Sequence, residues 1–448
     1  MKIGLLTPYT GSNLGDAAIQ QAVIDNIRIR RPDTEICLIT LHPELTGRLH
    51  GVPSFPLTSL SISNYSQDGP ISAIQGGELE SPLEEQDGAE SGLLSRIKTL
   101  LKKYPRLFLV LKNVHNLLFV VARIPKLVLE EISHFIKARN FLKSFGILLV
   151  SGGGQLDDYW GGPWGHPYSL LKWGIIAKTV GVRFVFLSVG TCSLESRFSS
   201  LLIRWALSLA DYRSYRDQTS KALLKHLAFT HQDQVYPDLA FSNKGKGWVS
   251  EQRVRKSGKI VAVSPIAYLS RYGWPKMDIS VYNNYINNLV FFIAELIRCG
   301  YSILLFSTDT PDRHVIKEII ASLSNTSDLD LHEKIQQACT ETIDELFSLL
   351  SVADYVVASR LHGVLLAHLF LKPVLAISYD RKVDTYMKDI CVHEYCLDIH
   401  NFGLNTLMCT FEEMVSNADR IESRLKEAGA EYVRLLGHQY DIVLDTKT

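Results

Sequence analysis

At 448 residues the chain exceeds the roughly 250–300 residues at which one hydrophobic core stops growing, which points to two domains. Its 47 Lys and Arg balance 47 Asp and Glu, so no bulk field favours nucleic acid, and an anionic ligand has to be recognised by particular side chains brought together. The seven cysteines are scattered, with neither a CxxC pair nor metal-ligand spacing, as in a reduced cytoplasmic protein that uses no metal.

The chain opens as strand, glycine-containing loop and helix. A short apolar run at 2–7 leads into Thr10-Gly11-Ser12-Asn13-Leu14-Gly15-Asp16, after which Ala18, Ile19, Ala22, Val23 and Ile27 recur at helical spacing. Pro32 closes that helix and a second strand follows at 36–41, completing a βαβ start. From about 59 to 92 the sequence turns to Ser, Gly, Pro and acids without periodicity, which reads as an insertion. Between 96 and 143 basic residues interleave with Leu, Val, Ile and Phe. These are basic amphipathic helices, read either as helices packed on the domain with solvated lysines or as a peripheral membrane contact. The most apolar part, 107–121, is broken by Lys112, Asn113, His115 and Asn116, short of the ~20 apolar residues of a spanning helix.

The βα rhythm resumes at 147–151 and continues through strands at 183–189 and 212–215. The strands carry near-continuous apolar runs, as parallel strands buried on both faces do. Asn243-Lys244-Gly245-Lys246-Gly247 interrupts it, and a second series begins at 260–265. The reading is an α/β protein of two doubly wound, Rossmann-like domains facing across a cleft. The first covers 1–245 with an insertion at about 42–145, the second covers 255–410, and a helical segment closes the chain at 411–448.

In such folds chemistry collects where strands give way to helices. Ser359-Arg360-Leu361-His362-Gly363 follows the strand Tyr355-Val356-Val357-Ala358 and opens a helix. A helix amino terminus presents unpaired N–H groups and positive partial charge, so Arg360 and His362 there suit a phosphate or carboxylate. The plainer reading pairs Arg360 with a structural acid and leaves His362 at the helix start. Tyr212-Arg213-Ser214-Tyr215-Arg216-Asp217 is the matching place in the first domain, with Arg216 facing the cleft and Asp217 as a helix cap. Two glycine loops, one around Asn13 and one at Gly152-Gly153-Gly154, end in the acids Asp16 and Asp157-Asp158. Neither has the spacing of a P-loop or a dinucleotide fingerprint. Their acids suit helix capping, or orientation and deprotonation of a sugar hydroxyl. The rings of Tyr159, Trp160, Trp164 and Tyr168 suit stacking on a saccharide or sealing of the domain's own surface. Thr308-Asp309-Thr310-Pro311-Asp312 is a further strand-to-helix turn at the cleft.

Taken in order, Asn13-Leu14-Gly15-Asp16, the Gly152-Gly153-Gly154 run, Ser214-Tyr215-Arg216-Asp217 and Ser359-Arg360-Leu361-His362-Gly363 resemble the polysaccharide pyruvyltransferase family. The resemblance spans the chain outside about 42–145. It implies a glycosyltransferase-B-like fold and transfer of pyruvate from phosphoenolpyruvate to a sugar hydroxyl pair as a ketal, with no cofactor beyond that donor. It also implies that Arg216, Arg360, Leu361 and His362 bind the donor. Asn13, Gly153 and Gly154 join them as substrate-binding residues, and Asp158 or Asp16 is expected as the general base. The expected partners are phosphoenolpyruvate and a saccharide acceptor, lipid-linked or polymeric, at the inner face of the membrane. Two rivals are a nucleotide-sugar glycosyltransferase of the same architecture and a non-enzymatic assembly protein.

Overall fold

The computed structural model describes residues 1–59 and 125–445 apart from short breaks at 160, 192–193, 227–228, 230–232, 244–257, 273, 275–276, 325–333 and 339. Within them lie two parallel sheets. The first contains β1 (Lys2–Leu6), β2 (Glu35–Thr40), β3 (Ser54–Pro56), β4 (Ile147–Ser151), β5 (Arg183–Val189), β6 (Tyr212–Tyr215) and β7 (Gln234–Val235) in the order β3-β2-β1-β4-β5-β6-β7. The second contains β8 (Ile260–Ser264), β9 (Ser302–Leu305), β10 (Ile335–Gln337), β11 (Tyr355–Ala358), β12 (Val374–Ser378) and β13 (Cys396–Asp398) in the order β10-β9-β8-β11-β12-β13. Renumbered within its domain, the second sheet reads 3-2-1-4-5-6 and the first 3-2-1-4-5-6-7, the doubly wound order whose winding reverses between its first and fourth strands. That reversal opens a crevice at the strands' carboxyl ends. The glycine loops after β1 and β4 lie there in the first domain, and the Arg360 turn after β11 lies there in the second.

Apolar burial explains the central strands: β4 and β12 are buried throughout, and β5 and β8 are buried at every position but the first. The helix Leu14–Arg30 is buried around most of its circumference. Leu14, Ala18, Ile19, Val23, Ile24 and Ile27 belong to one apolar cluster with the second domain's Leu361, Leu365 and Phe347. Asn13 starts it, its side chain accepting the N–H groups of Gly15 and Asp16 at 2.9 and 3.1 Å.

Two boundaries differ from the sequence reading. The helix Pro43–His50 and β3 belong to the first sheet, β3 pairing with β2 from Leu38↔Ser54 to Thr40↔Pro56, so the sheet reaches past residue 42. A three-residue edge strand that follows Pro53 and ends in Pro56 leaves no periodicity to read. The closing segment is not one unit either. The helix Leu404–Ser416 buries Leu407, Phe411 and Met414 in the second domain. The helix Ala418–Leu444 then crosses back, and Gln439 donates to Ser214 Oγ at 2.6 Å and accepts from Ser188 Oγ at 3.0 Å in the first. Of the basic stretch 96–143, residues 96–124 lie outside the described residues. The helix 125–142 buries His134, Ala138 and Leu142, and Glu131 pairs with the buried Lys172 at 2.8 Å. No described helix is long and apolar enough to cross a membrane.

Candidate functional site

The crevices of the two sheets face each other across a cleft of about 950 Å³, lined from the first domain by Asn13, Asp16, Gly154, Asp157, His166 and Arg216, and from the second by Thr308, Asp309, Arg360, Leu361, His362 and Lys382. Arg216 and Arg360 therefore border one cavity.

Arg216 leaves the end of β6 with its N–H donated to Val189 O at 3.0 Å. Its guanidinium reaches Asp238 at 3.3 Å and Asp217 at 3.5 Å, and Asp217 also caps the following helix through Ser220 N. Gly190 leaves room for it, because a Cβ there would lie 2.6 Å from Arg216 Nη2.

Arg360 pairs with structural acids and also lines the cleft. Its Nε and Nη2 grip the two oxygens of Asp312, the latter at 3.0 Å, and Nη1 lies 3.2 Å from Asp309. Asp312 is fully buried and also accepts the Ala267 N–H at 2.9 Å, so it is fixed in place. These acids engage three of the guanidinium's five N–H groups, which leaves two to serve a ligand. Arg360 also occupies the cap position of the helix Leu361–Leu369 in extended conformation, and no side chain caps the first N–H groups there.

His362 bridges the domains. Nε2 stands 3.7 Å from Asp238 Oδ2, an ion-pair distance, and the ring rests on Gly15 of the first domain, where a Cβ would lie 2.0 Å from Nδ1. Burial acts to raise Asp238, but His362, Arg216 and the Ala240 N–H outweigh it and bring its pKa down to about 2. Asp238 is thus a fixed negative charge behind Arg216 and His362. Asp16 is raised by burial and by the charges of Asp309 and Asp238, against the pull of His362 and Arg216. Asp157 is raised to about 6, by burial first and then by Asp158 and Asp16, against Lys382 and the Tyr159 N–H.

Four buried polar atoms of cleft-lining residues make no hydrogen bond among the described residues: Tyr9 Oη, His166 Nδ1, Thr308 Oγ1 and His362 Nε2. Native interiors leave few such atoms, and these four gather in one cavity. His166 is held neutral by burial, its pKa lowered to about 3. Its Nε2 meets Gln155 Oε1 at 2.9 Å, and Gln155 Nε2 donates onward to Thr7 Oγ1 at 3.2 Å. This chain puts the imidazole proton on Nε2 and leaves Nδ1 as an acceptor suited to a ligand hydroxyl.

Of the residues singled out in the sequence, Asn13, Asp16, Gly154, Arg216, Arg360, Leu361 and His362 line the cleft. Gly153 stands behind, with φ 70° and the place of its absent Cβ 3.4 Å from Asp16 Oδ1. Asp158 is a correction. It is absent from the lining, and its two oxygens accept the N–H groups of Glu195 at 3.1 Å and Ser196 at 2.9 Å, ahead of the helix Arg197–Ser208. Asp158→Ala is expected to cost about 1–2 kcal/mol of stability, read from the urea midpoint, and to leave turnover within about threefold. Its neighbour Asp157 is the member of the doublet in the cleft. Tyr159 turns toward Trp274 of the second domain at 6.1 Å, Trp160 lies outside the described residues, and Trp164 and Tyr168 pair with each other at 5.9 Å away from the cleft lining. Sequence reasoning missed Asp238, His166 and Lys382. Lys382 follows the end of β12, where the strand-end rule finds it, whereas Asp238 carries no local signal.

A family model described as polysaccharide pyruvyl transferase matches residues 13–381, from the cap of the first helix to the start of the helix after β12. The chain belongs to the polysaccharide pyruvyl transferase family. Along 453 aligned residues it is 22% identical to the amylovoran biosynthesis protein AmsJ of Erwinia amylovora, with 98% of each chain covered. Among solved structures it is similar to the UDP complex of S. aureus MnaA (TM-score 0.54, 11% identity, 100% of this chain and 98% of that one). It is also similar to UDP-GlcNAc 2-epimerase from Methanocaldococcus jannaschii (TM-score 0.53, 10% identity, 92% of each chain). At that identity the structural likeness speaks to the fold, which is glycosyltransferase-B-like. This polysaccharide pyruvyl transferase family member places Arg216, Arg360 and His362, all within the matched span, around one interdomain cavity.

Proposed function

We propose that the cleft binds phosphoenolpyruvate and transfers its pyruvyl group to a hydroxyl pair of a saccharide as a cyclic ketal. The observation that carries this is the convergence of Arg216, Arg360, His362 and an uncapped helix amino terminus on one cavity. That set matches a small molecule bearing a carboxylate and a phosphate. The unpartnered atoms of Tyr9, His166 and Thr308 suit the hydroxyls of the acceptor.

In this reading the chemistry balances as follows. His362 donates a proton to the donor's methylene carbon, which becomes a methyl group, and the adjoining carbon becomes electrophilic. The first acceptor hydroxyl forms a C–O bond to that carbon and loses its proton to Asp16. The bond from the same carbon to the phosphate oxygen breaks, and phosphate departs toward Arg216 and the helix amino terminus. The second hydroxyl closes the ring. Two hydroxyl protons are released, one restoring His362 and one leaving on phosphate. Preorganised cations stabilise the charge that develops on the leaving group.

In this reading the acceptor belongs to a surface or extracellular polysaccharide, which accords with the name of the similar AmsJ, an amylovoran biosynthesis protein. A nucleotide-sugar-dependent reaction is the second reading, drawn from the UDP-bound relatives of similar fold. Phosphate release that requires both phosphoenolpyruvate and an oligosaccharide bearing a free hydroxyl pair is the expected result. Turnover of UDP-GlcNAc, with none of phosphoenolpyruvate, overturns it.

A further inference from the structure

Closing a ketal removes protons from two hydroxyls at two separate steps, and the first domain carries more than one carboxylate on the cleft wall. We propose, resting on the reading above, that Asp157 is a catalytic base for the second hydroxyl, acting beside Asp16, which serves the first. The two acids flank a glycine pair. A Cβ on Gly153 would lie 3.4 Å from Asp16 Oδ1, and one on Gly154 would lie 3.5 Å from Asp157 Oδ2. Gly154 lines the cleft beside Asp157 with no side chain of its own, so an acceptor sugar can approach the backbone there and present adjacent hydroxyls to both acids.

An independent observation marks the same wall as a ligand seat. His166, 3% exposed, lines this wall with Nδ1 unpartnered among the described residues, and Thr308, 1% exposed, faces it from the second domain with Oγ1 likewise unpartnered. Asp16 lies at the donor end, within the field of His362 and Arg216, and Asp157 lies toward Lys382. The groups facing Asp157 are Lys382, Asp158, Asp16 and the Tyr159 N–H. Together with burial they hold its carboxyl near 6, so it is ionised at neutral pH yet basic enough to take a proton from an attacking hydroxyl. The hydroxyl oxygen bonds to the cationic ketal carbon, its O–H electrons stay on oxygen, and the proton passes to Asp157 and from there through solvent to the released phosphate, while the proton taken by Asp16 restores His362.

The test uses the full-length protein with phosphoenolpyruvate and a hydroxyl-pair oligosaccharide. Asp157→Asn is expected to lose ketal formation about 10²-fold, with phosphoenolpyruvate affinity by calorimetry changed less than about threefold, and Asp157→Glu is expected to recover part of the rate. Wild-type kcat/KM for the acceptor is expected to fall tenfold per pH unit below about 6, because protonation removes the base. Ketal formation by Asp157→Asn within about threefold of wild type, or a flat wild-type profile between pH 5 and about 7, overturns the assignment. A wild-type protein that ignores phosphoenolpyruvate overturns the underlying donor reading instead, so the two failures are told apart.

Discussion

His362→Ala is expected to lower phosphoenolpyruvate-dependent transfer by about 10²–10⁴-fold, the usual span for loss of a positioned general acid. The ring is held at the domain boundary by Asp238 at 3.7 Å on one side and by the Gly15 backbone on the other, so it reaches the reaction from a fixed direction. Burial alone does not account for this arrangement, since Nε2 has no hydrogen-bond partner among the described residues. Steady-state rates separate this role from a purely structural one. The expected loss is in kcat, and the melting temperature is expected to move by only a few degrees, about the effect of removing one partly buried side chain. Unchanged kcat in a folded His362→Ala protein contradicts the proposed proton donor.

The second large effect is expected from a methyl group. Gly15→Ala puts a Cβ 2.0 Å from His362 Nδ1, 2.2 Å from Cγ and 2.5 Å from Cβ, so the whole imidazole root has to move and not just a flexible tip. In a helix the exchange of glycine for alanine is favourable by about 0.8–1.0 kcal/mol, so local propensity predicts a modest gain. The cleft predicts the reverse for activity. Displacing the catalytic ring by about an ångström is expected to cost roughly 10²-fold in kcat, because near-attack geometry is lost. Rates and thermal melts on the same variant distinguish the two effects, and a fully active Gly15→Ala protein shows that His362 does not need its present seat.

Both glycine loops and the Arg360 turn were legible because each follows a short apolar run that reads as a buried parallel strand, and the Arg216 turn because the short segment Tyr212–Tyr215 keeps the same strand-to-helix rhythm. The switch-point rule then says which loops meet at the crevice. The double role of Arg360 was not separable in advance. Its sequence context announces an anion site, while Asp312 lies 48 residues away and announces only a helix start. Asp238 illustrates the larger gap. It brings together Arg216, 22 residues back, and His362 from the other domain, and no periodicity or spacing links the three. Of the doublet Asp157-Asp158 the sequence reading chose Asp158, the member that faces away from the cleft. In β-like backbone neighbouring side chains point to opposite sides, so one carboxylate meets the cleft and the other the N–H groups of Glu195 and Ser196. The closing helix misled for a related reason: amphipathic spacing shows that it packs, but not that Gln439 packs against the first domain.

The central claim is that the first domain's Arg216 and the second domain's His362 act on one anionic donor. Calorimetric titration of phosphoenolpyruvate into the wild type, Arg216→Gln and His362→Gln tests it most directly. The account predicts saturable binding to the wild type and at least about a tenfold loss in each variant, the value of one charge-assisted contact. Equal affinity in all three proteins, or binding of UDP-GlcNAc in place of phosphoenolpyruvate, contradicts it.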